Sequence, residues 1–335
     1  MNNMTNKNPK VSIIVPNYNY ARFLDLRIAS ILNQTYTDYE LILLDDASTD
    51  NSVTVLNKYK DNPHVTQIVV NEKNTGSPFQ QWMKGILLAK GEWIWIAEAD
   101  DLCEPTFLTT CMHYIEINTN VAICNVGSIY IDAKGNTMEQ RIYQRQKEET
   151  PINAKCFDGK KFIEYILYWQ NEIPNASGVV FKKSYALNLQ NQEWTKFRYC
   201  GDWLFWVNMA LQGKVIQIYQ NLNYFRQHIS QTTKGRYSGQ SVIETFKICL
   251  YIEKIFPSIT SAKRRLKRGR EARFIRHIKN EQCKKLVSKE YHKLFRSSKL
   301  KDYLYFKLHW HLKSLPYILT EEKDRKKITK YNYSL

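Results

Sequence analysis

The chain has 335 residues, 43% hydrophobic and 24% charged, so it can bury a substantial core and is not a disordered chain. No stretch approaches the roughly 18 consecutive apolar residues that span a bilayer, and the first ten residues lack the apolar segment of a secretory signal. Seven cysteines, an odd number without a C-x-x-C pair, indicate free thiols in a reducing compartment. We therefore expect a globular cytoplasmic protein.

The net charge of +17 is concentrated at one end of the chain. Residues 1–250 contain 25 Lys and Arg against 24 Asp and Glu, so nearly all of the excess lies in residues 251–335. A strongly basic protein often binds nucleic acid or an anionic membrane, but the first three quarters of this chain are close to neutral. The charge is therefore informative about the C-terminal region only.

The first hundred residues alternate strands with helices. Short apolar runs predict strands, and apolar residues at helical spacing predict helices. The predicted strands are Val11–Pro16, Glu40–Leu44, Val65–Val70 and Trp93–Ala97, and the predicted helices are residues 22–34, a segment capped by Ser48, Thr49 and Asp50 that runs to about Tyr59, and Gln80–Ala89. This order predicts an α/β fold with a mostly parallel sheet flanked by helices.

The pattern changes further along the chain. Strands are predicted at Val121–Ile131, Gly178–Lys182 and Val215–Tyr219, and helices at Gly159–Tyr168 and Gly201–Leu211. After about residue 240 we expect no strands, only basic helices that begin with the amphipathic segment around Phe246. The predicted organisation is a flexible N-terminus over 1–9, an α/β domain over 10–235 and a basic helical region over 240–335.

Three carboxylates follow the fourth strand directly. Glu98, Asp100 and Asp101 come within four residues of its apolar run. Carboxylates crowded at the end of a buried strand repel one another and lose hydration, so a cation is expected to compensate. Hard oxygen ligands favour Mg²⁺ or Mn²⁺. The alternative is a solvated acidic turn that simply ends the strand.

Two other polar segments lie at the same predicted edge of the sheet. Pro16-Asn17-Tyr18-Asn19 follows the first strand and Asp45-Asp46-Ala47-Ser48 follows the second. Ligands of open α/β sheets bind at this edge, where Tyr18 can stack on a base, Asp46 can accept from the base or ribose, and Asp100 can hold a metal on two phosphates. A helix cap is the alternative role for Asp46. The sequence has neither G-x-x-x-x-G-K-[ST] nor G-x-G-x-x-G, so a P-loop and a dinucleotide fingerprint are excluded.

The segments VSIIVPNYN, SILNQTYTDYELILLDDASTDNS, K-G-I-x-x-A-K-G-E-W-I and AEADD resemble the family-2 inverting glycosyltransferases of the GT-A fold, of the bacterial cell-surface polysaccharide type. The resemblance is dense over residues 9–110 and thin to about 235. It implies a nucleotide-sugar donor, Mn²⁺ or Mg²⁺, and transfer to a hydroxyl. The implied donor-binding residues in this part of the chain are Pro16, Tyr18, Asp46, Glu98 and Asp100.

The chain departs from the family pattern at two points. The family's aspartate-x-aspartate motif falls on Glu98-Ala99-Asp100, so its first acid is a longer glutamate and Asp100 is the expected metal ligand. Where the family often carries an arginine before the fourth strand, this chain offers Ser77 or the more distant Lys73 and Lys84.

An inverting transfer also needs a general base for the acceptor hydroxyl. The family places an aspartate near the start of a helix in the second half of the domain, and C-G-D-W-L-F-W matches that pattern at Asp202. The neighbouring Trp203 and Trp206 suit sugar stacking. The alternative is that Asp202 only caps the helix.

The stretch Tyr224 to Ser230 is similar to the Y-x-R-x-H stretch that often closes these domains. The resemblance implies that Arg226 or His228 approaches the diphosphate, with His228 as a second metal ligand. The alternative is a structural histidine in a loop.

The C-terminal segments Ala262–Arg276 and Lys299–Leu312 mix basic and aromatic residues. Such helices can lie on an anionic membrane, so residues 260–315 are a candidate peripheral membrane contact. Packing on the catalytic domain with a solvated basic face is the alternative, and no nucleic acid is expected because no nucleic-acid module is recognisable.

Together these features predict an inverting glycosyltransferase on the cytoplasmic side of the membrane, with a lipid-linked or surface-polysaccharide acceptor. Two alternatives stay open. A nucleotidyltransferase would share the sheet and acidic edge but would normally carry a Gly-rich basic loop after the first strand. A non-catalytic protein that docks through its basic tail would need none of the acidic edge.

Overall fold

The structure is a computed structural model that describes residues 8–142, 154–190, 192–228, 238–311 and 333–334. The predicted flexible N-terminus lies outside these residues for positions 1–7, as does the part of the predicted membrane contact beyond residue 311.

The described strands form one mixed sheet. They are Val11–Asn17 (β1), Tyr39–Asp45 (β2), Val65–Val70 (β3), Trp93–Ile96 (β4), Leu102–Cys103 (β5), Val121–Ile131 (β6), Thr137–Ile142 (β7), Ala154–Phe157 (β8), Val179–Lys182 (β9), Lys214–Arg226 (β10) and Tyr333–Ser334 (β11). The strand order is β11-β8-β10-β6-β9-β4-β1-β2-β3, with β5 paired to β10 and β7 to β6.

The predicted parallel arrangement is confirmed for the first half of the sheet. β1 pairs in parallel with β2 and β4, and β2 pairs in parallel with β3. In the second half, β9 runs antiparallel to both β4 and β6, and β8 runs antiparallel to β10. Strand pairing therefore changes from parallel to antiparallel at β4, the strand that leads to the acidic cluster.

The described helices lie on both faces of the sheet and in the C-terminal region. They are Ala21–Leu32 (α1), Ser52–Asn57 (α2), Pro78–Leu88 (α3), Phe107–Glu116 (α4), Gly159–Phe162 (α5, continued by a π-helical turn at Ile163–Leu167), Lys183–Leu187 (α6), Gly201–Ala210 (α7), Gly239–Ile255 (α8), Ser261–Ala272 (α9), Glu281–Phe295 (α10) and Lys299–His311 (α11).

Some local predictions were wrong. α2 spans Ser52–Asn57 and so ends before the predicted Tyr59, while Asp50 of the predicted cap accepts from the backbone N–H of Ser52, the first residue of the helix. Strands β5, β7 and β8 and helix α4 were not predicted. The strands also do not end near residue 240, since β11 pairs with β8 at the sheet edge.

The central strands are buried on both faces. Ile14 of β1 faces one core cluster, while its neighbours Ile13 and Val15 face the other. This two-sided burial explains why β1, β2 and β4 read as continuous apolar runs rather than as alternating strands.

The basic C-terminal helices pack on the α/β domain. Ile248 and Ile252 of α8, Leu266 of α9 and Phe306 of α11 belong to the same buried cluster as Phe205 of α7. Packing on the α/β domain is therefore observed for the described part of this region.

Within the described residues, every helix is too short or too polar to cross a membrane.

Candidate functional site

The loops after β1 and β2 are locked to each other at the carboxyl edge of the sheet. Asn17 Nδ2 donates to Asp45 Oδ2 at 2.7 Å and to Ser48 Oγ at 3.2 Å, and Ser48 Oγ also accepts from the backbone N–H of Asn19 at 2.9 Å. Asn19 and Ala47 both have φ of 60°, a conformation uncommon for residues with a side chain. Such strain persists only where surrounding bonds fix it, and it is typical of ligand sites.

Pro16 and Tyr18, which follow each other closely at the end of β1, differ in exposure. Pro16 is buried in β1, where it pairs with Leu44 of β2, so it shapes the strand end rather than exposing a face. Tyr18 is 44% exposed. Its ring is therefore accessible, and base stacking on it stays a prediction.

Asp46 is buried, and protein donors already occupy both of its carboxylate oxygens. Asn71 Nδ2 and Gln81 Nε2 donate to Oδ1 at 2.7 and 2.8 Å, and Thr75 Oγ1 donates to Oδ2 at 2.8 Å. Lys84 in turn donates to the Asn71 side chain. In this conformation Asp46 fixes the loop before α3, so a nucleotide contact to it requires one of these donors to be displaced.

Glu98 and Asp101 are held by side chains from two distant segments. Trp82 Nε1 of α3 donates to Glu98 Oε1 at 2.8 Å. Asn175 Nδ2 and Ser177 Oγ donate to Asp101 Oδ2 at 2.8 and 2.6 Å. Ser177 Oγ also accepts from the backbone N–H of Glu98 at 3.0 Å. The cluster is a built, hydrogen-bonded site and not the solvated turn that was the alternative.

Burial makes these two carboxyl groups difficult to ionise. Desolvation, with the added charge of Asp100, raises the pKa of Glu98 to about 8 and that of Asp101 to about 7. The positive charge of Arg27 offsets part of both pKa shifts. Arg27 is fully buried in α1, with its guanidinium 5.0 Å from the centre of the Trp95 ring. A cation of the protein therefore already lies beneath the acidic cluster.

Asp100 and His228 meet directly. His228 Nε2 lies 2.8 Å from Asp100 Oδ2, and the histidine side chain is 1% exposed while that of Asp100 is 12% exposed. The imidazole packs edge-on against Tyr20 and tilted against Phe23, with ring centres 5.4 and 5.3 Å away. The two predicted metal ligands are thus brought together from positions 128 residues apart.

Arg226 is buried, and it holds the backbone of the acidic cluster. Its Nε donates to the Asp100 carbonyl at 2.6 Å, its backbone N–H donates to Asp101 Oδ1 at 2.8 Å, and its Nη1 donates to the Asp132 carbonyl at 3.0 Å. The prediction that Arg226 approaches the diphosphate does not match this conformation, because these bonds direct its guanidinium to backbone carbonyls.

The chemistry of the Asp100–His228 pair fits Mn²⁺ or Mg²⁺. Such ions in nucleotide-dependent enzymes are held by one or two protein groups, with phosphate oxygens and water completing the shell. Among the residues that the structure describes, no group of three or more His, Cys, Asp or Glu side chains converges on one point. A metal here would therefore depend on the bound diphosphate.

Asp202 lies in the first turn of α7 and is not its cap. Cys200 occupies the N-cap position, so the alternative of a simple cap is wrong. Asn171 Nδ2 donates to Asp202 Oδ2 at 2.9 Å. Burial raises the pKa of Asp202 to about 7, only partly opposed by this bond and by backbone N–H groups. A carboxyl with this pKa exchanges a proton near neutral pH, as a general base must.

Trp203 and Trp206 do not form a sugar platform. Trp206 is fully buried, with its ring centre 6.0 Å from that of Trp82 and 5.7 Å from that of Phe181. Trp203 is buried as well, and its Nε1 donates to the Leu167 carbonyl at 3.0 Å. The prediction of sugar stacking by these two residues is therefore wrong, because α7 is a core helix.

One short loop connects Asp202 with the acidic cluster. Asn171, which bonds Asp202, precedes Asn175, which bonds Asp101, by four residues. Four extended residues span at most about 14 Å. The loop therefore keeps Asn171 and Asn175, the partners of Asp202 and Asp101, within about 14 Å of each other.

Glu244 of α8 fixes the chain just before Asp202. It is fully buried, and its carboxylate accepts from the backbone N–H groups of Arg198, Tyr199 and Cys200 at 2.8, 2.9 and 2.9 Å. Because a carboxylate that accepts several N–H groups forms strong bonds, α8 determines where α7 begins.

Helix α9 fixes the loop on the other side of Asp202. Lys267 Nζ donates to the Trp169 carbonyl at 2.7 Å and to Glu271 Oε1 at 2.6 Å. Arg270 Nη2 donates to Gln170 Oε1 at 3.1 Å, next to the residue that bonds Asp202. Part of the basic C-terminal charge is therefore used inside the protein to support the candidate base.

Several supporting residues were missed by the sequence analysis. Asn171, Asn175 and Ser177 lie in a loop that was given no role, although N-A-S-G before a strand is a typical Asx-turn sequence. That signal was available for Asn175, which accepts from the backbone N–H of Ser177. No local pattern pointed to Trp82 or Glu244.

The fold, with its polar segments at the carboxyl edge of the sheet, is that of a GT-A type α/β protein. Residues 12–179, half of the chain, match the model of glycosyl transferase family 2. The chain therefore belongs to glycosyl transferase family 2.

Relatives and solved structures agree with this assignment. The poly(ribitol-phosphate) beta-N-acetylglucosaminyltransferase TarP of Staphylococcus aureus is 34% identical over 140 residues, 41% of each chain. TarS 1–349 of S. aureus in complex with UDP-GlcNAc has a TM-score of 0.58 at 15% identity, over 88% of this chain and 89% of that one. The mannosyltransferase PcManGT of Pyrobaculum calidifontis, in complex with GDP-Man and Mn²⁺, has a TM-score of 0.53 at 15% identity, over 85% and 80%.

The match does not extend over the full length of the curated relatives. The aligned part covers between 41% and 65% of the lengths of three of them. At 15% identity, the two solved structures support the GT-A fold alone.

Proposed function

We propose that this protein is an inverting glycosyltransferase that moves a sugar from a nucleotide-diphosphate donor to an acceptor hydroxyl. One observation carries the proposal. A buried acidic cluster with a histidine partner and a separate carboxyl with a pKa of about 7 are both hydrogen-bonded to one loop, residues 171–177. Diphosphate binding and acceptor deprotonation need two such sites side by side.

The donor lies along the rim formed by the loops after β1, β2 and β4. Tyr18 stacks on the base, and Asp46 accepts from the base or ribose after exchanging one of its present donors. Pro16 shapes the end of β1 below the base. Glu98 and Asp100 face the sugar diphosphate. Arg226 acts on the donor indirectly, because it positions the backbone of Asp100.

Asp100 and His228 hold the divalent ion, Mn²⁺ or Mg²⁺, together with the donor diphosphate. When bound, the ion neutralises charge that develops on the departing nucleotide. The Asp100–His228 contact keeps both side chains in place before the donor arrives, and the hydrogen between Nε2 and Oδ2 would have to leave for both atoms to become ligands. The PcManGT complex with GDP-Man and Mn²⁺ supports the choice of ion.

Asp202 removes the proton from the acceptor hydroxyl. Its pKa of about 7 lets it be ionised at neutral pH and still accept a proton readily. Asn171 orients the carboxylate through the bond to Oδ2. Attack from this side, opposite the leaving diphosphate, inverts the anomeric carbon.

The acceptor is a lipid-linked or surface-polysaccharide glycan, and the protein works on the cytoplasmic side of the membrane. Support comes from the relatives, since TarP is named as a poly(ribitol-phosphate) glycosyltransferase and another relative, 31% identical over 144 residues, is named chondroitin synthase. The sugar, the base and the linkage are not part of the proposal.

A thermal-shift panel tests the donor site. UDP, GDP, dTDP, CMP and ADP are each added with and without Mn²⁺. We expect one diphosphate to stabilise the protein, and only with metal, because binding to the native state alone raises the melting temperature. Stabilisation without metal would contradict the metal role, and no stabilisation by any diphosphate would contradict the donor site.

The two alternatives give different results in the same preparation. A nucleotidyltransferase would be stabilised by nucleoside triphosphates and would release pyrophosphate. A non-catalytic docking protein would respond to no nucleotide. Transfer of radiolabelled sugar from the stabilising donor to glycan extracts separates both from the proposal.

A further inference from the structure

The outer face of α11 carries an apolar stripe that no part of the described structure covers. Leu300, Leu304 and Leu308 are 60%, 53% and 58% exposed. Their spacing of four residues places them in one row along the helix. The opposite side of α11 is the packed side, where Phe306 and Asp302 are buried.

Basic side chains border this row on both sides. Lys301 and Lys307 are exposed and, at 100° per residue, lie on either side of the leucines. The acidic residue of α11, Asp302, is buried and bonded to Tyr291 and Arg265. The exposed face of the helix therefore combines leucine and lysine without a carboxylate.

Tyrosines with arginine partners lie at the two margins of the face. Tyr303 accepts a hydrogen bond from Arg276, and the Arg265 guanidinium lies 4.4 Å from the centre of the Tyr305 ring. Both rings are half-buried. A leucine row, flanking lysines and amphipathic rings at the margins form the arrangement by which a helix lies in the plane of a membrane interface.

We propose that the α11 face, defined as Leu300, Lys301, Leu304, Lys307 and Leu308, docks on an anionic lipid bilayer. The leucines enter the acyl boundary and the lysines meet acidic headgroups. Charge complementarity favours this partner, because residues 251–335 carry nearly all of the +17 net charge. The proposal concerns binding only, so it is independent of the donor and the reaction.

A second copy of the chain is a less suitable partner for this face. A stable interface needs about 20 to 30 residues on each side, whereas the α11 face offers five. Symmetric pairing of the face would also set the lysines of one copy against those of the other.

Docking would fix the candidate base relative to the bilayer. α11 packs closely on α9, since a Cβ added at Gly269 would lie 2.1 Å from the Asp302 carbonyl oxygen. α9 holds Trp169 through Lys267, and the loop that follows holds Asp202 through Asn171. The membrane face and the acceptor side of the site therefore belong to one packed unit.

The test measures co-sedimentation of the full chain with vesicles of phosphatidylcholine, with and without phosphatidylglycerol. We expect binding to the anionic vesicles only, weakened by salt. The triple variant Leu300→Ser, Leu304→Ser and Leu308→Ser should bind at least about tenfold more weakly. Each substitution removes the free energy gained when a leucine side chain passes from water into the acyl region. Lys301→Gln with Lys307→Gln should also weaken binding about tenfold.

Matched controls come from exposed leucines elsewhere. Leu26→Ser in α1 and Leu87→Ser in α3 change side chains that are 57% and 50% exposed, and they should bind vesicles like the unchanged chain. Melting curves for all variants confirm that folding is retained.

The proposal would be overturned by absence of binding to anionic vesicles, or by equal binding of the triple variant. It would also be overturned by a dimer in light scattering that the triple variant converts to a monomer, which would make a second copy the partner. Nucleic acid that competes with the vesicles and binds the triple variant equally well would also overturn it.

Discussion

The acidic cluster and Asp202 are two carboxylate sites with opposite surroundings. At the cluster, Asp100 pairs with His228, and a buried arginine offsets part of the negative charge. Asp202 instead lies at the start of an apolar core helix with one side-chain donor, Asn171. The comparison teaches that one functional group can bind a cation or move a proton, according to the groups that surround it.

The largest expected effect comes from removing the base. Asp202→Asn keeps the shape of the side chain but cannot accept the proton, so turnover should fall by about 10²–10⁴-fold. Donor affinity should not change, because the donor lies at the other site. Initial rates and nucleotide titrations measure the two quantities, and near-normal turnover would remove Asp202 from its role.

A substitution of Asp100 should instead affect nucleotide binding at the acidic cluster. Asp100→Ala should weaken Mn²⁺-dependent nucleotide binding by about 100-fold or more, since even the supporting partners of metal ligands contribute about 10–100-fold. Calorimetric titration with and without Mn²⁺ measures this effect. Unchanged Mn²⁺ dependence would contradict the metal role, and Asp158→Ala, which alters an exposed helix cap, serves as the control.

Glu244, which fixes the chain just before Asp202, should contribute mainly to stability. Glu244→Gln removes charge from an acceptor of three backbone N–H groups, which should lower the free energy of unfolding by about 1.5–3 kcal/mol. Glu281→Gln breaks only an exposed ion pair with Lys284 and should have almost no effect. Urea denaturation of both variants makes the comparison, and equal stability would contradict the role of Glu244.

Asn171 offers a smaller and more selective test. Its hydrogen bond lowers the pKa of Asp202, so Asn171→Ala should raise that pKa and move the acidic limb of the pH–rate profile to higher pH. Asn188→Ala alters an exposed amide and should leave the limb in place. An unshifted profile in Asn171→Ala would argue that another group sets the limb.

Asp202 should also make the protein less stable at higher pH. Its pKa is about 7 in the folded state, against an ordinary aspartate pKa of 3.8. Between these values unfolding releases a proton, so the contribution of Asp202 to stability falls as pH rises and is least favourable above about 7. Asp202→Asn should therefore raise the melting temperature above pH 7 and have less effect near pH 4. An equal change in melting temperature at both pH values would contradict the raised pKa of Asp202.

The rim could be predicted from the sequence because its signals are local. A β-branched run that ends in a polar segment marks both a strand and its carboxyl end, so Tyr18, Asp46 and Asp100 were placed correctly at one edge. The supporting bonds could not be predicted. Asn175 and Arg226 reach the cluster from 74 and 125 residues away, and no periodicity records such distances.

The same limit explains the errors at α7. The run W-L-F-W indicates apolar side chains, but it does not say whether they line a cleft or a core. Burial of Trp206 against Trp82 decides this, and the contact joins helices far apart in the chain.

By itself, the sequence determined the parallel first half of the sheet, the acidic edge and the basic C-terminal charge, because each depends on neighbouring residues. Only the tertiary structure decided how they are used. It set Asp100 against His228, raised the pKa of Asp202 by burial, and turned Lys267 inward to support the loop at Trp169. Burial and long-range hydrogen bonds arise only when distant segments pack together, and these give the two carboxylates their different surroundings.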